Sequence, residues 1–267
     1  MYKILFKNKI NLLFLLISFL CLISVVGIDN VSFKSTEWLF TGESSQHQLG
    51  WHFFKNDIWR FPLGNNPNYG DEFSNSIVFS DAIPILALFF KSFKSFIPEN
   101  FQYFSFWYFI CFFLQLFFSF KIIKKFTGSD LYSVIGSFFF LISPIFMHRV
   151  AMHVALASQW LLLFALYLGL TKKIDKAKLL WILLIILSSL INLYFTVMIV
   201  TAYSILRIFN LKFEKESFYK LIKDFFIMTL LLFLTLYIVG YFEIRVADSL
   251  SAAFGKYKLN LLNFFDP

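Results

Sequence analysis

The side chains best suited to chemistry are concentrated in a few polar stretches of a very apolar sequence. The first stretch reads TGESSQHQLGWHFFKNDIWRFPLG and carries Glu43 four residues before His47. A carboxylate one helical turn from an imidazole can bind a metal, hold a catalytic base or form a simple i,i+4 pair. The spacing alone does not choose among these three options.

The same stretch predicts a short helix with one polar and aromatic face. Glu43, His47, Gly50 and Phe54 follow one another at intervals of four, three and four residues, which places them on one side of a helix. Asp81 follows in the sequence FSDAIP, just before another apolar run. It is either the N-cap of the next helix or a second catalytic carboxylate.

Another polar stretch, HRVAMHVALASQW, lies between two apolar runs and contains an isolated cation. Arg149 has no acidic residue near it in the sequence, and it is flanked by His148 and His153, with Gln159 a little further on. A cation in such surroundings needs an anion, either a carboxylate of the first outer loop, Glu43 or Asp81, or a lipid phosphate. The alternative is that Arg149 extends to the lipid headgroups without a specific partner.

The composition shows what kind of protein holds these residues. Of the 267 residues 59% are hydrophobic, 40 are Phe, and the mean hydropathy is +0.71. This excess over the roughly 45–50% of soluble domains predicts a multi-pass membrane protein. The net charge is +8, and the basic residues lie beside apolar runs, which indicates membrane topology. No nucleic acid is expected as a partner. Cys21 and Cys111 lie within apolar runs and predict neither a disulfide nor a zinc site.

The apolar runs predict an all-α integral membrane fold with about seven transmembrane helices. Ser188, Ser189 and Asn192 mark a bend in the longest run, which is either two short spans or one. The predicted spans are Ile10–Ile28, Phe101–Phe120, Leu131–Phe146, Val154–Leu170, the hairpin Leu179–Phe209, and Phe225–Phe242.

A long extracytoplasmic loop, about residues 29–100, is predicted between the first two spans. Its segment Ile83–Pro98 is too short to cross the bilayer, and Lys91 and Lys94 share one helical face, so it is expected to lie flat at the interface. With a cytoplasmic N-terminus, the cytoplasmic segments hold 15 of the 24 Lys and Arg residues and 5 of the 16 acidic residues. This asymmetry fits the positive-inside rule for a plasma (inner) membrane protein, and it places all the polar stretches outside.

Several segments resemble a family of bacterial multi-pass proteins related to GT-C type glycosyltransferases. The resemblance rests on GESSQHQLGWHFFKNDIWRFPLG, SIVFSDAIPILALFFK, FQYFSFWYFICFFLQ, HRVAMHVALASQWLLL and NLYFTVMIV, in this order along the chain. It implies many spans, a first outer loop with interfacial helices, and an acidic catalytic residue soon after the first span. It also implies a lipid-phosphate-linked sugar donor used on the extracytoplasmic side, with basic residues at the donor phosphate.

The resemblance implies roles for particular residues. Glu43 occupies the position where the family has Asp after Gly, which is a conservative departure, and it is expected to be the general base. Asp81 matches the second acidic position and is the other catalytic candidate. The positions that match recurrent polar residues, and are expected to bind substrate, are His47, His148, Arg149, His153 and Gln159.

The expected function is therefore transfer of a sugar from a polyprenyl-phosphate donor to a glycan or lipid acceptor. A divalent metal, Mg²⁺ or Mn²⁺, is an optional cofactor. Two alternatives stay open: a transporter or flippase component, and a non-catalytic scaffold of cell-surface polysaccharide assembly. Residues 1–267 are read as one transmembrane domain, and the resemblance implies further spans and a soluble domain that this chain is expected to lack.

Overall fold

The computed structural model describes residues 2–42, 44–69, 75–213 and 217–243. Within these ranges the chain forms ten α-helices and a two-stranded antiparallel ribbon that pairs β1, Asn65–Asn66, with β2, Asn75–Ser76. The helices are α1 Tyr2–Val26, α2 Ser44–Asn56, α3 Pro84–Ser92, α4 Phe104–Thr127, α5 Asp130–Leu141, α6 Pro144–Met152, α7 Trp160–Thr171, α8 Lys178–Ser189, α9 Leu193–Phe213 and α10 Phe218–Val239.

Four of these helices are long and apolar enough to cross a membrane. They contain the segments Lys9–Val26, Phe104–Thr127, Leu193–Asn210 and Phe218–Val239. The helices α5 and α6 together qualify as a fifth, although a bend of 51° separates them. The helices α7 and α8 are apolar but shorter. The predicted all-α fold is confirmed, with several helices of membrane-spanning length and composition.

The helices pack as two groups joined through α7. The helix α4 contacts α1, α5 and α7, while α8 contacts α9 and α10, and α7 also packs on α8 and α9. Aromatic rings fill the first group: Phe14 of α1 meets Phe120 edge-on at 5.6 Å, and Phe118 stacks on Trp160 at 6.2 Å. Phe side chains thus contribute to the packing between α1, α4 and α7.

One end of the helix bundle, here called the lysine-rich end, collects ion pairs between helix termini. Lys124 pairs with Asp130 at 3.0 Å across the turn from α4 to α5, and Lys125 donates to the carbonyl of Leu170 at the end of α7. Three further helices meet there through the pairs Arg207 with Asp175, Arg207 with Asp224, and Lys178 with Asp224.

The opposite end, here called the loop end, is covered by the segment between α1 and α4. Leu63 N donates to Ile238 O at 2.8 Å, and Ser76 Oγ donates to Val239 O at 3.1 Å, so the ribbon caps the last carbonyls of α10. Gln102 Nε2 donates to Ser32 O at 2.8 Å and ties the start of α4 to the end of α1. The four long helices therefore each run from the lysine-rich end to the loop end of the bundle.

Two predicted details can be compared with the structure directly. The bend predicted at Ser188–Asn192 coincides with the break between α8 and α9. The segment predicted to lie flat, Ile83–Pro98, is shorter as a helix: α3 ends at Ser92 and a single 3₁₀ turn, Lys94–Phe96, follows it.

Candidate functional site

The backbone around Asp81 has an unusual conformation. Asp81 has φ of 52° and Ile83 has φ of 53°, both in the left-handed region, and Ile83 is fully buried. For a β-branched residue this region is strongly disfavoured, and such positions cost of order 1–3 kcal/mol each. Strain of this kind persists only where the surrounding contacts enforce it, so the contacts of this segment are informative.

The helix α2 holds the residues just before Asp81. Gln46 Nε2 donates to Phe79 O at 3.2 Å, and His47 Nδ1 lies 2.9 Å from Ser80 O, so the imidazole donates from Nδ1. A Cβ at Gly50 would lie 2.4 Å from both Cβ and Oγ of Ser80, so only glycine allows this approach. The predicted face of α2 is confirmed for His47, Gly50 and Phe54, which are all buried.

The carboxylate of Asp81 contacts the break between α8 and α9. Asn192 Nδ2 donates to Asp81 Oδ1 at 3.3 Å, and Ile85 N donates to Leu190 O at 2.9 Å. Asp81 remains partly exposed, so the carboxylate is accessible from the loop end. The interpretation of Asp81 as a helix cap is wrong: the N-cap of α3 is Ile83, with no side-chain cap bond, and Pro84 follows it in the first turn.

Tyr241 lies on the other side of the same break. Its hydroxyl donates to Ser189 O at 2.8 Å, and its ring meets Phe79 edge-on at 6.0 Å. Burial, and then the nearby Asp81 carboxylate, raise the pKa of Tyr241 well above its usual value of 10.0, so the phenol stays protonated and remains a donor.

The first turns of α4 connect Asp81 to the histidine-bearing stretch. Tyr103 Oη donates to Ala82 O, next to Asp81. One to two turns along, Trp107 Nε1 donates to Val154 O and Tyr108 Oη donates to Val150 O, both at 2.9 Å. The two polar stretches that the sequence places outside therefore meet at the same end of α4.

The residues expected from the sequence to bind substrate differ in how exposed their side chains are. His148 and Arg149 are exposed on α6, His153 and Gln159 are partly exposed, and His47 is buried under Ser80. The expected ion pair between Arg149 and Asp81 is not formed, and Arg149 pairs with no other acid in the part of the chain that the structure describes. The proposed base, Glu43, lies outside the described residues.

Three residues of this site were not predicted from the sequence: Tyr103, Asn192 and Tyr241. The only signal for any of them is that Asn192 interrupts a long apolar run, which was interpreted as a bend alone. Tyr103 and Tyr241 carry no signal in the sequence, because they are ordinary aromatic residues among many and their roles depend on distant backbone carbonyls.

The described residues contain no group of three or more His, Cys, Asp and Glu side chains close enough to hold a metal ion. Asp81, the acid at this site, is bonded to an amide, and the buried imidazole of His47 uses Nδ1 for a backbone carbonyl. A divalent metal at this site therefore stays a prediction, since Glu43, the other acid expected here, lies outside the described residues.

The chain belongs to the family described as a domain of unknown function (DUF6311), whose model matches residues 15–267. Neither the curated proteins nor the solved structures contain a match to it.

Proposed function

We propose that the protein is a membrane glycosyltransferase of the GT-C type, which transfers a sugar from a polyprenyl-phosphate donor at the loop end. The observation that carries the proposal is the partly exposed Asp81 carboxylate, presented on a strained backbone between α2, α4 and the α8–α9 break. Strained, accessible carboxylates of this kind are frequent in catalytic sites, and the sequence resemblance supplies the reaction class.

The proposed topology has seven spans, α1, α4, α5 with α6, α7, α8, α9 and α10, with the lysine-rich end in the cytoplasm. Its support is the alternation of contacts: Lys124 with Asp130, and Lys178 with Asp224, join termini at one end, while Asp81 with Asn192 joins the other. The short helices α7 and α8 then cross a locally thin or tilted region. The loop end is extracytoplasmic in the plasma membrane of a bacterium.

In the proposed reaction a carboxylate takes the proton of the acceptor hydroxyl while its oxygen forms a bond to the anomeric carbon. The bond between that carbon and the donor phosphate oxygen breaks, and the lipid phosphate leaves with the electron pair. Asp81 is the candidate for this base among the described residues, and Glu43 remains the base predicted from the resemblance. The exposed guanidinium of Arg149 is available to neutralise the leaving phosphate.

The distribution of charge favours this function over a coupled transporter. Transporters place ionisable residues near the middle of their spans. In the described helices the buried charges are at the termini, such as Arg207 and Asp224 at the lysine-rich end. The polar groups buried farther from the helix ends, such as Gln115 and Ser119 of α4, do not ionise. A non-catalytic scaffold is the remaining alternative.

The test compares isosteric changes of the acids at the loop end. Asn tolerates the left-handed conformation well, so Asp81→Asn removes the charge while it keeps the backbone. If Asp81 is the base, transfer from a labelled polyprenyl-phosphate hexose in membranes falls by about 10²–10⁴-fold. Asp29→Asn, at an exposed acid of the same loop, is the matched control and should retain full activity.

Glu43→Gln in the same assay decides which carboxylate is the base. Loss of transfer with Glu43→Gln and near-normal transfer with Asp81→Asn would assign the base to Glu43. If neither change affects transfer, or if the wild-type protein in membranes transfers no sugar, the glycosyltransferase proposal is wrong and the scaffold alternative takes its place.

A further inference from the structure

A large apolar groove lies between the described helices α7, α8 and α9. Its volume is about 430 Å³, within the roughly 300–1,000 Å³ typical of small-molecule sites. Gly169 forms part of its wall, where a Cβ would meet Leu206 Cδ1 at 3.0 Å. The other walls are apolar side chains, among them Leu162, Ala165, Met198, Ala202 and Leu206.

The groove continues into a second, polar space at the lysine-rich end. That space has a volume of about 330 Å³ and shares Gly169, Trp181 and Leu206 with the groove. Lys172 and Lys173 line it, and both side chains are exposed. Neither forms an ion pair with a described residue, in contrast to Lys178 in the same connection, which pairs with Asp224.

Trp181 lies where the two spaces join, and its ring nitrogen is unsatisfied. The residue is 1% exposed, and Nε1 has no hydrogen-bond acceptor in the structure. A buried indole N–H normally finds a partner, because an unsatisfied buried donor costs about 1–3 kcal/mol. Because the nitrogen itself has no accessible surface, a ligand in the groove reaches this donor only when the Trp181 ring shifts.

We propose that this groove binds one anionic phospholipid of the cytoplasmic leaflet. An acyl chain occupies the apolar groove, and the phosphate lies between Lys172 and Lys173 and accepts a hydrogen bond from Trp181 Nε1. Charge complementarity selects this occupant: the mouth offers two cations and a neutral donor, and the interior offers only hydrocarbon. Basic pockets between spans on the cytoplasmic side recognise anionic headgroups in this way. The site is separate from Asp81 and does not depend on the glycosyltransferase activity; only its leaflet rests on the proposed topology.

The experiment is native mass spectrometry of the purified protein in detergent, titrated with phosphatidylglycerol or with phosphatidylcholine of the same chains. We expect one phosphatidylglycerol to bind at least about fivefold more tightly than phosphatidylcholine. Lys172→Gln and Lys173→Gln should each weaken the phosphatidylglycerol complex severalfold. Lys176→Gln is the matched control, because Lys176 is an exposed lysine of the same connection that does not line the space, and it should change binding less than twofold.

Two further variants separate chain binding from headgroup binding. Ala202→Phe fills the groove and should weaken both lipids. Trp181→Phe keeps an aromatic ring and removes the unsatisfied donor, so it should leave thermal stability equal or higher while the preference for phosphatidylglycerol falls. Equal losses with Lys176→Gln would show a diffuse charge effect and overturn the proposal. Unchanged binding with Ala202→Phe, or an unchanged lipid preference with Trp181→Phe, would also overturn it.

Discussion

Among single residues of the segment between α1 and α4, Lys91 has unusual surroundings. Its ammonium lies 3.8 Å from the centre of the Phe54 ring and 4.8 Å from that of Trp59, and it donates to Ile58 O at 3.3 Å. Lys94 Nζ donates to Asn56 O at 3.1 Å beside it. The two lysines thus satisfy carbonyls at and beyond the C-terminus of α2, where cations are favoured. This interaction ties α3 to α2.

The first prediction concerns the pH dependence of Lys91. Burial, opposed by Asp57 and assisted by Lys94 and Arg60, lowers the pKa of Lys91 from 10.5 to about 8. Between about pH 8 and 10.5 the unfolded chain therefore binds more protons at this residue than the folded protein, so stability rises with pH in this window. The melting temperature of the wild type in detergent, measured relative to that of Lys91→Met, should therefore rise on the order of a few degrees across this window.

Two methionine variants test this assignment. Lys91→Met should remove the rise between pH 8 and 10.5, because no titrating group is left at that position. Lys94→Met, at the exposed neighbour, should keep it. An identical pH slope in wild type and Lys91→Met would contradict the prediction.

The sequence predicted part of the site at the residue level. The helical face of His47 and Gly50 followed from spacing, which is a local property. The strained φ of Asp81 and its bond to Asn192, 111 residues away, could not be predicted, because they depend on packing between distant segments. Arg149 shows the same limit: its isolation in the sequence predicted an ionic partner, yet it is exposed and does not pair with Asp81.

At the level of helices, the ion network at the lysine-rich end fixes how α8, α9 and α10 meet. Arg207 of α9 is 1% exposed and contacts Asp175 and Asp224, each at 3.0 Å. Lys178 of α8 also pairs with Asp224, and Lys220 of α10 pairs with Asp175. The sequence predicted these helices and their basic flanks. It did not predict which acid meets which base, since the partners are separated by 17 (224 − 207) to 46 residues.

The prediction at this level is that Arg207 matters far more than Lys220. Arg207→Gln leaves buried Asp224 with one of its two cations, and breaking a buried pair typically costs about 3–5 kcal/mol. Lys220 and Asp175 are each 44% exposed, so Lys220→Gln should cost about 0–1 kcal/mol. Unfolding of both variants, measured by titration with denaturing detergent, checks the difference. Equal destabilisation by the two changes would show that burial of Arg207 is not decisive.

At the scale of the whole molecule, a topology with seven spans and one with five spans place the connection between α7 and α8 on opposite sides of the membrane. In the five-span alternative α7 and α8 do not cross, so their connection stays near the extracytoplasmic face. In the proposed seven-span topology that connection, with Asp175 and Lys176, is cytoplasmic. By composition and length, the four longest helices qualify as spans, and α5 with α6 qualifies as a fifth. The helices α7 and α8 do not qualify in this way, since they have 12 residues each. Their proposed crossing is supported by contacts, such as that of Lys125 with the carbonyl of Leu170.

Single cysteines decide between the two arrangements. In a background of Cys21→Ser and Cys111→Ala, Ser95→Cys should react in intact cells with a thiol reagent that cannot cross the membrane, because Ser95 is exposed beyond α3. Lys176→Cys should react only after the membrane is permeabilised. Ser129, in the turn between α4 and α5 at the same end, is a less suitable position for a cysteine, because its hydroxyl accepts from Tyr132 N and caps α5. Labelling at position 176 in intact cells would exclude seven spans. It would also move the lipid proposal to the extracytoplasmic leaflet, while Asp81, in the segment between α1 and α4, would keep its side of the membrane in both arrangements.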